Sequence, residues 1–346
     1  TLLGIELPII QAPMAGVQDS ALAVAVSNAG GLGSLPCAML SKDALGKELT
    51  TLRSHTSKPY NLNFFCHTPP PPQPEQEAAW RKILAPYYEE YGLDSDAIPK
   101  GPERRPFSNE TADIIEAYKP PVVSFHFGLP NKALLARVKS WGSKIIASAT
   151  TIEEALLLEA AGIDAIIAQG LEAGGHRGHF LSDDLSKQPG IFALLPQIVK
   201  AVKLPVIAAG GIADAQGVKA AMALGATGVQ AGTAYLLCPE STTSILHRAV
   251  LKSDSASHTA LTNVFSGRAA RGIVNRAISE LGPISQSAPV FPLASTAMAA
   301  LRTAAEKQGS SDFSPLWCGE NASGCKDISA ADLTRSLATA LSLQAI

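Results

Sequence analysis

Short runs dominated by apolar residues alternate along this chain with longer stretches in which apolar positions recur at helical spacing. The short runs lie at 9–12, 31–35, 61–65, 122–126, 144–148, 165–168, 205–208 and 228–231, and each has the length of a buried strand. The periodic stretches lie at 20–28, 42–53, 132–139, 152–161, 191–202 and 215–224. Asp19-Ser20, and Thr151 with Glu154 three residues on, supply helix starts, while Gly30, Gly162 and Gly225 supply helix ends. Strand–helix alternation implies a parallel sheet. Eight such units predict an α/β fold, a TIM (β/α)8 barrel with its catalytic loops at the C-terminal strand ends. A doubly wound open sheet is the alternative, and the lack of a GxGxxG after the first strand argues against it.

Two stretches break the rhythm. Between the third and fourth strands lies an insertion, about 67–121, that opens with the proline run 69–72. Prolines exclude a helix there, but 75–91, with Trp80, Tyr87, Tyr88 and Tyr91, reads as an amphipathic helix. An excursion of this length at a catalytic face is expected to form a lid or wall, with a surface ornament as the alternative. After Ala234 the stretches 241–251, 266–281, 292–308 and 330–343 read as helices, with a turn at 319–324. The expected division is therefore a barrel over 1–239 and a C-terminal, mainly α-helical cap over 240–346, placed at the barrel mouth.

Composition narrows the partners. Apolar residues make up 46% and charged residues 17% of 346 residues, enough for a large core, and the net charge is −2. Neither nucleic acid nor an anionic membrane is an expected partner. The five cysteines, Cys37, Cys66, Cys238, Cys318 and Cys325, form no CxxC pair. Cys37 and Cys66, at the ends of predicted strands, are expected to be reduced, packed thiols, which suits a cytoplasmic protein. No apolar run is long enough to span a bilayer, and the first residues lack the basic start of a signal peptide. The missing initiator Met points to a few residues removed or left out.

The chemistry concentrates at predicted strand ends. Gly210-Gly211 follows the seventh strand, and Gln230-Ala231-Gly232-Thr233 closes the eighth, where barrels hold phosphates on backbone N–H groups. Thr233 is placed to cap the next helix and donate to the phosphate. FMN, a sugar phosphate and pyridoxal phosphate all fit this signal. The last needs a lysine at the mouth, and Lys144 lies at the wrong end of its strand. Ala12-Pro13-Met14, after the first strand, shapes a flat wall for a planar cofactor. Asn63, Gln169 and Gln230 are amides at interior or strand-end positions, the donors and acceptors that a flavin requires.

The loop Glu172-Ala173-Gly174-Gly175-His176-Arg177-Gly178 follows the sixth strand. Its glycines let backbone approach a ligand, and His176 is the candidate for proton chemistry. His126, ending the fourth strand, is a second catalytic or binding group or a packed histidine. His67 is placed at the start of the lid, and His179, His55, His247 and His258 read as surface residues. No HxH, HExxH or paired-carboxylate spacing predicts a metal, and no GxSxG or activated cysteine predicts acyl transfer. Arg268, Arg271 and Arg276 read as a solvated helix face, or as a basic strip that attracts an anionic substrate.

These residues resemble the nitronate monooxygenase family, formerly the 2-nitropropane dioxygenases, and specifically its class I. The carriers are Ala12-Pro13-Met14, Asn63, His126-Phe127-Gly128, Gln169 with Glu172 to Gly178, Gly210-Gly211, Gln230-Ala231-Gly232-Thr233 and Phe265-Ser266-Gly267-Arg268. The resemblance covers nearly the whole chain. It implies non-covalent FMN held by Asn63, Gln169, Gly174, Gly211, Gln230, Gly232 and Thr233, with His176 over the flavin and His126 on the substrate side. The chain departs from the pattern at Glu320, where glutamine is expected, and at Phe291, where tyrosine is expected.

The implied reaction is oxidation of alkyl nitronates, propionate 3-nitronate first among them, by O2 through a flavin semiquinone, giving a carbonyl compound and nitrite or nitrate. A detoxifying role follows from the same resemblance. The competing readings are an NAD(P)H-dependent FMN reductase of the enoyl or quinone type, and a non-catalytic flavin-binding module. The expected oligomeric state is a monomer or a dimer.

Overall fold

Local signals set where the elements begin. The chain forms β1 (Ile9–Gln11), α1 (Ser20–Asn28), β2 (Gly33–Pro36), α2 (Lys42–His55) and β3 (Tyr60–Phe65). Next come α3 (Pro74–Glu90), α4 (Asn109–Glu116), β4 (Val122–His126), α5 (Lys132–Ser140), β5 (Lys144–Ala149), α6 (Ile152–Ala160) and β6 (Ala165–Gln169). A two-residue strand, β7 (Gly175–His176), precedes α7 (Ile191–Ala201), β8 (Val206–Ala209), α8 (Ala215–Ala223) and β9 (Gly228–Ala231). The remainder holds α9 (Ile245–Leu251), β10 (Thr259–Thr262), β11 (Ala270–Ile273), α10 (Arg276–Leu281), α11 (Ser295–Lys307) and α12 (Ala330–Ala338). Asp19, Ser41, Ser108, Asn131, Thr151 and Asp214 each accept a backbone N–H from the first turn of the helix that follows. The computed structural model describes residues 2–95, 97, 98 and 104–344. Residues 96 and 99–103 of the predicted insertion, and the chain ends at 1, 345 and 346, lie outside the described residues.

The large sheet has eight strands in the order β1-β9-β8-β6-β5-β4-β3-β2, all paired in parallel. Its two edges meet. Gln11 N donates to Leu32 O at 3.0 Å and Leu32 N to Ile9 O at 2.9 Å, so the sheet curls into the predicted TIM barrel. Period-two alternation divides each strand between two cores. On β6, Ile166 and Ala168 face the helices, while Ala165 and Ile167 face inward with Ile10, Leu32, Val122, Ile146 and Ile207. That apolar layer plugs the interior. The inward positions nearer the C-terminal strand ends are polar: Asn63, Ser124, His126, Ser148, Gln169 and Gln230. The barrel is thus filled below and chemically equipped above.

Three expectations are corrected. The stretch 109–116 belongs to the outer ring, because α4 packs between α2 and α5. The part of 67–121 that leaves the barrel is correspondingly shorter. At the other end, α12 buries Ala330, Leu333 and Leu337 in the barrel core and packs on α1 and α8. It completes the ring rather than joining the cap. The stretch 266–281 is not one helix. Its alanines and arginines have helical propensity, but Ala270–Ile273 pairs antiparallel with both Thr259–Thr262 and Gly175–His176. That long-range pairing overrides the local preference.

The predicted helix in the insertion is present as α3. Its Trp80, Leu84 and Tyr88 pack with Val264, Ile278, Met298, Leu301 and Phe313 into a second core beside the mouth. Tyr88 Oη donates to Ala297 O at 2.6 Å. Among the described residues, no helix is long and apolar enough to cross a membrane.

Candidate active site

The polar strand ends open into a cavity of about 420 Å³, within the range of ligand sites. The fifteen residues singled out by sequence all line it: Ala12, Pro13 and Met14 from the first loop, Asn63 from β3, His126 from β4 and Gln169 from β6. Gly174, Gly175 and His176 come from the loop after β6, Gly210 and Gly211 from the end of β8, and Gln230, Ala231, Gly232 and Thr233 from β9 and its loop.

His176 is held from three directions. Its carbonyl accepts from Gln169 Nε2 at 3.0 Å and from His126 Nε2 at 3.2 Å. Its main chain pairs with Ala270 of β11, and the next residue, Arg177, donates its N–H to Ala269 O at 2.9 Å. Its Nε2 lies 2.7 Å from Ser266 Oγ. Barrel strands, cap sheet and cap loop therefore converge on one residue. The imidazole meets Phe291 and Trp317 edge-on, each with ring centroids 5.4 Å away. Burial, reinforced by the nearby cations Arg104 and Arg268, drives its pKa well below 6.5. At neutral pH the ring is uncharged.

His126 has a different character. Nε2 donates to the His176 carbonyl, so in the neutral ring Nδ1 is an acceptor, facing Ser148 Oγ at 3.0 Å. Burial lowers its pKa to about 3. Both nitrogens are engaged within the protein, which makes His126 a post for the His176 backbone. Phe127 follows at φ 68°, a left-handed conformation unusual for an aromatic residue, and its ring lies 6.1 Å from that of His176. The Arg268 guanidinium carbon stands 4.3 Å from the Phe127 ring centroid, a cation–π contact.

Residues behind the loop keep it in place. Arg177 is fully buried and donates to Gly170 O at 2.6 Å, Gln169 O at 3.0 Å and Gln188 Oε1 at 2.8 Å. Glu172 accepts from Ile191 N at 2.8 Å, capping α7. Gln169 Oε1 takes the Gly178 N–H at 2.7 Å, so its amide serves the loop as well as the cavity. Thr233 does not cap a helix by its side chain. Its Oγ1 accepts from Gly319 N at 2.9 Å, which ties the β9 loop to the cap.

Several expectations about exposure are corrected. His179 and His247 are buried, and Asp183 takes His179 Nε2 at 3.0 Å. His67, for which the sequence predicts no particular exposure, is buried and packs edge-on against Phe291 at 4.9 Å. Arg268 and Arg271 are not on a solvated helix face. Arg271 lies in β11, is 6% exposed, donates to Leu171 O at 3.0 Å and pairs with Glu320 at 2.9 Å. The departure at Glu320 thus supplies a counter-charge for Arg271, and the Phe291 departure places an apolar ring against His176. Ser266, Trp317 and Arg104 were missed as site residues. Each sits far from its neighbours in sequence, and no local spacing announces them.

A profile of the nitronate monooxygenase family matches residues 1–340. The chain belongs to the nitronate monooxygenase family. A nitronate monooxygenase of Pseudomonas aeruginosa is 42% identical over 338 residues, covering 97% of this chain and 96% of that protein. One of Paraburkholderia phytofirmans is 43% identical over 343 residues, covering 97% and 92%. Among solved structures, nitroalkane oxidase from Streptomyces ansochromogenes superposes with a TM-score of 0.90 at 36% identity, over 99% of this chain and 98% of that one. Membership makes the protein a flavin-dependent oxidoreductase whose substrates are nitronates.

The nitronate monooxygenase cavity fits a flavin. Gln230 Oε1 is buried without a partner, an acceptor awaiting a ligand N–H. Gly210 and Gly211 line the cavity with φ of 112° and 71°, which favour glycine, and a Cβ on Gly210 would approach Ala173 N to 3.1 Å, so this turn packs directly on the loop after β6. Asn63 Nδ2 donates to Ser124 Oγ at 2.9 Å. Its Oδ1 has no hydrogen-bond partner among the described residues.

Proposed function

We propose that this nitronate monooxygenase binds FMN non-covalently and oxidises alkyl nitronates with O2 to a carbonyl compound and nitrite or nitrate. The observation that carries the reading is the neutral His176, clamped by Gln169, His126 and β11 at the wall of a glycine-cradled cavity. FMN, when bound, supplies the electron-accepting chemistry that no side chain here provides.

The chain's own residues bind and orient. The backbone at Gly210, Gly211 and Gly232 and the Thr233 hydroxyl suit the phosphate, while Asn63 and Gln230 suit the ring system. Ala12-Pro13-Met14 forms the wall behind it. His176 Nε2 and Ser266 Oγ share a hydrogen bond at 2.7 Å; in the tautomer in which the serine donates, the ring proton is on Nδ1 and is available to a nitronate oxygen in a charge-assisted hydrogen bond. Trp317 on the cavity wall, with Phe127 and Phe291 packed behind the His176 ring, keeps water from the anion and strengthens that bond. The burial that keeps His176 uncharged also makes it a weak base. Nitronates, already deprotonated, are therefore expected to react far faster than neutral nitroalkanes.

The test is oxygen consumption on adding propionate 3-nitronate, the expected best substrate, to the flavin-loaded protein without NADH. Rapid catalytic uptake supports the reading. No uptake, together with bleaching of the flavin by NADH, replaces it with the reductase.

A further inference from the structure

Among the described residues, one cation on the cavity wall forms no ion pair. Arg104, from the segment between β3 and β4, lines the cavity. Its Nη1 donates to Ser295 Oγ at 2.7 Å, and its guanidinium carbon stands 5.9 Å from the Phe291 ring centroid. No carboxylate among the described residues forms an ion pair with it. The other two charged residues on the wall, Arg302 and Glu306, pair with each other at 2.8 Å. A guanidinium has five N–H donors, and a desolvated charge without a partner is costly. Burial pulls the Arg104 pKa down, the mark of a cation short of compensation.

Its place in the barrel separates it from the cofactor phosphate. The glycine cradle lies at the ends of β8 and β9, and the sheet order puts β3 and β4 across the barrel from them. The buried Phe291 ring packs against both Arg104 and His176, 5.9 Å from the guanidinium carbon and 5.4 Å from the imidazole, and so holds the two side by side. His176 and Arg104 line the same cavity, so a substrate whose nitronate meets His176 and whose chain extends across the cavity brings its far end to Arg104.

We propose that Arg104 is the receptor for a carboxylate at the far end of the substrate, and that it selects nitronates bearing this second negative charge over uncharged alkyl nitronates. The planar fork of the guanidinium matches a carboxylate with two parallel hydrogen bonds. This assignment rests on the nitronate reading of the cavity.

The test compares Arg104→Gln and Arg104→Lys with the parent enzyme on propionate 3-nitronate and on ethylnitronate, whose tail is uncharged. For Arg104→Gln, kcat/KM on propionate 3-nitronate should fall at least about tenfold, mainly through KM. The loss on ethylnitronate should stay below about threefold, and lysine should recover part of the affinity as a point charge without the fork. Equal losses on both substrates, or no loss on either, overturn the proposal. A calorimetric titration with 3-nitropropionate and 1-nitropropane reads the same site without turnover. Loss of 3-nitropropionate affinity alone in Arg104→Gln supports the assignment, and unchanged affinity overturns it. If neither nitronate is oxidised, the reading of the reaction fails while the titration still decides Arg104.

Discussion

Nε2 of His126 donates to the main-chain oxygen of His176 at 3.2 Å. Two histidines at one cavity wall thus have unlike tasks: one holds the backbone of the other. His126→Ala should lower turnover roughly tenfold or more, by loosening a residue whose placement must be kept within fractions of an ångström. Its pKa of about 3 keeps it neutral above pH 5. Replacing it should therefore lower the whole rate–pH profile without removing an inflection between pH 5 and 9. Loss of an inflection in that window would assign His126 a proton-transfer role instead.

Ser266 and His176 should act as one unit. His176→Ala should reduce kcat by roughly 10²–10⁴-fold, and Ser266→Ala by roughly tenfold. The double variant should be no worse than His176→Ala alone, because the serine works only through the ring. Steady-state oxygen uptake on the four proteins measures this. Additive losses would give Ser266 a role of its own.

Buried histidines make the fold acid-sensitive. Burial lowers His67, His179 and His247 to about 4 and His126 to about 3. Their stabilising contribution is complete above pH 6.5, the ordinary value, and is lost as pH falls toward 4, because only the unfolded chain takes up the protons. Each histidine contributes at most about 1.4 kcal/mol per pH unit in that window. Urea unfolding at pH 7.5, 6 and 5 should show the midpoint dropping steeply. A flat midpoint would contradict the burial.

Gly174 is a joint between the loop after β6 and the segment at Cys318 and Gly319. A Cβ there would stand 2.5 Å from Gly319 N and 2.6 Å from Cys318 C, both main-chain atoms that cannot swing aside. Gly174→Ala should cost about 1–3 kcal/mol and weaken flavin retention. Gly46→Ala, in the interior of α2 with open space at its Cβ, is the control and should stabilise by about 0.5–1 kcal/mol. Thermal melting with flavin fluorescence distinguishes them. Unchanged flavin retention in Gly174→Ala would show that the two segments are not coupled.

The sequence by itself determined the barrel and the parts of the site that barrel strands carry. Each strand end is local: the period-two pattern on β6 alone decides that Ile167 and Gln169 share the inner face, and a strand–loop junction alone marks Gly210-Gly211. All the strand-end residues predicted in this way line one cavity. Tertiary structure decided what long-range pairing controls. Whether Ala270–Ile273 is helix or strand depends on β7, which lies about a hundred residues earlier, because an exposed strand edge has unsatisfied N–H and C=O groups until a partner arrives. For the same reason the chain's order could not show that α12 returns to the barrel, that Ser266 bonds His176, or that Arg104 crosses to the cavity wall. Those placements follow from burial summed over the whole molecule, and no window of sequence contains that sum.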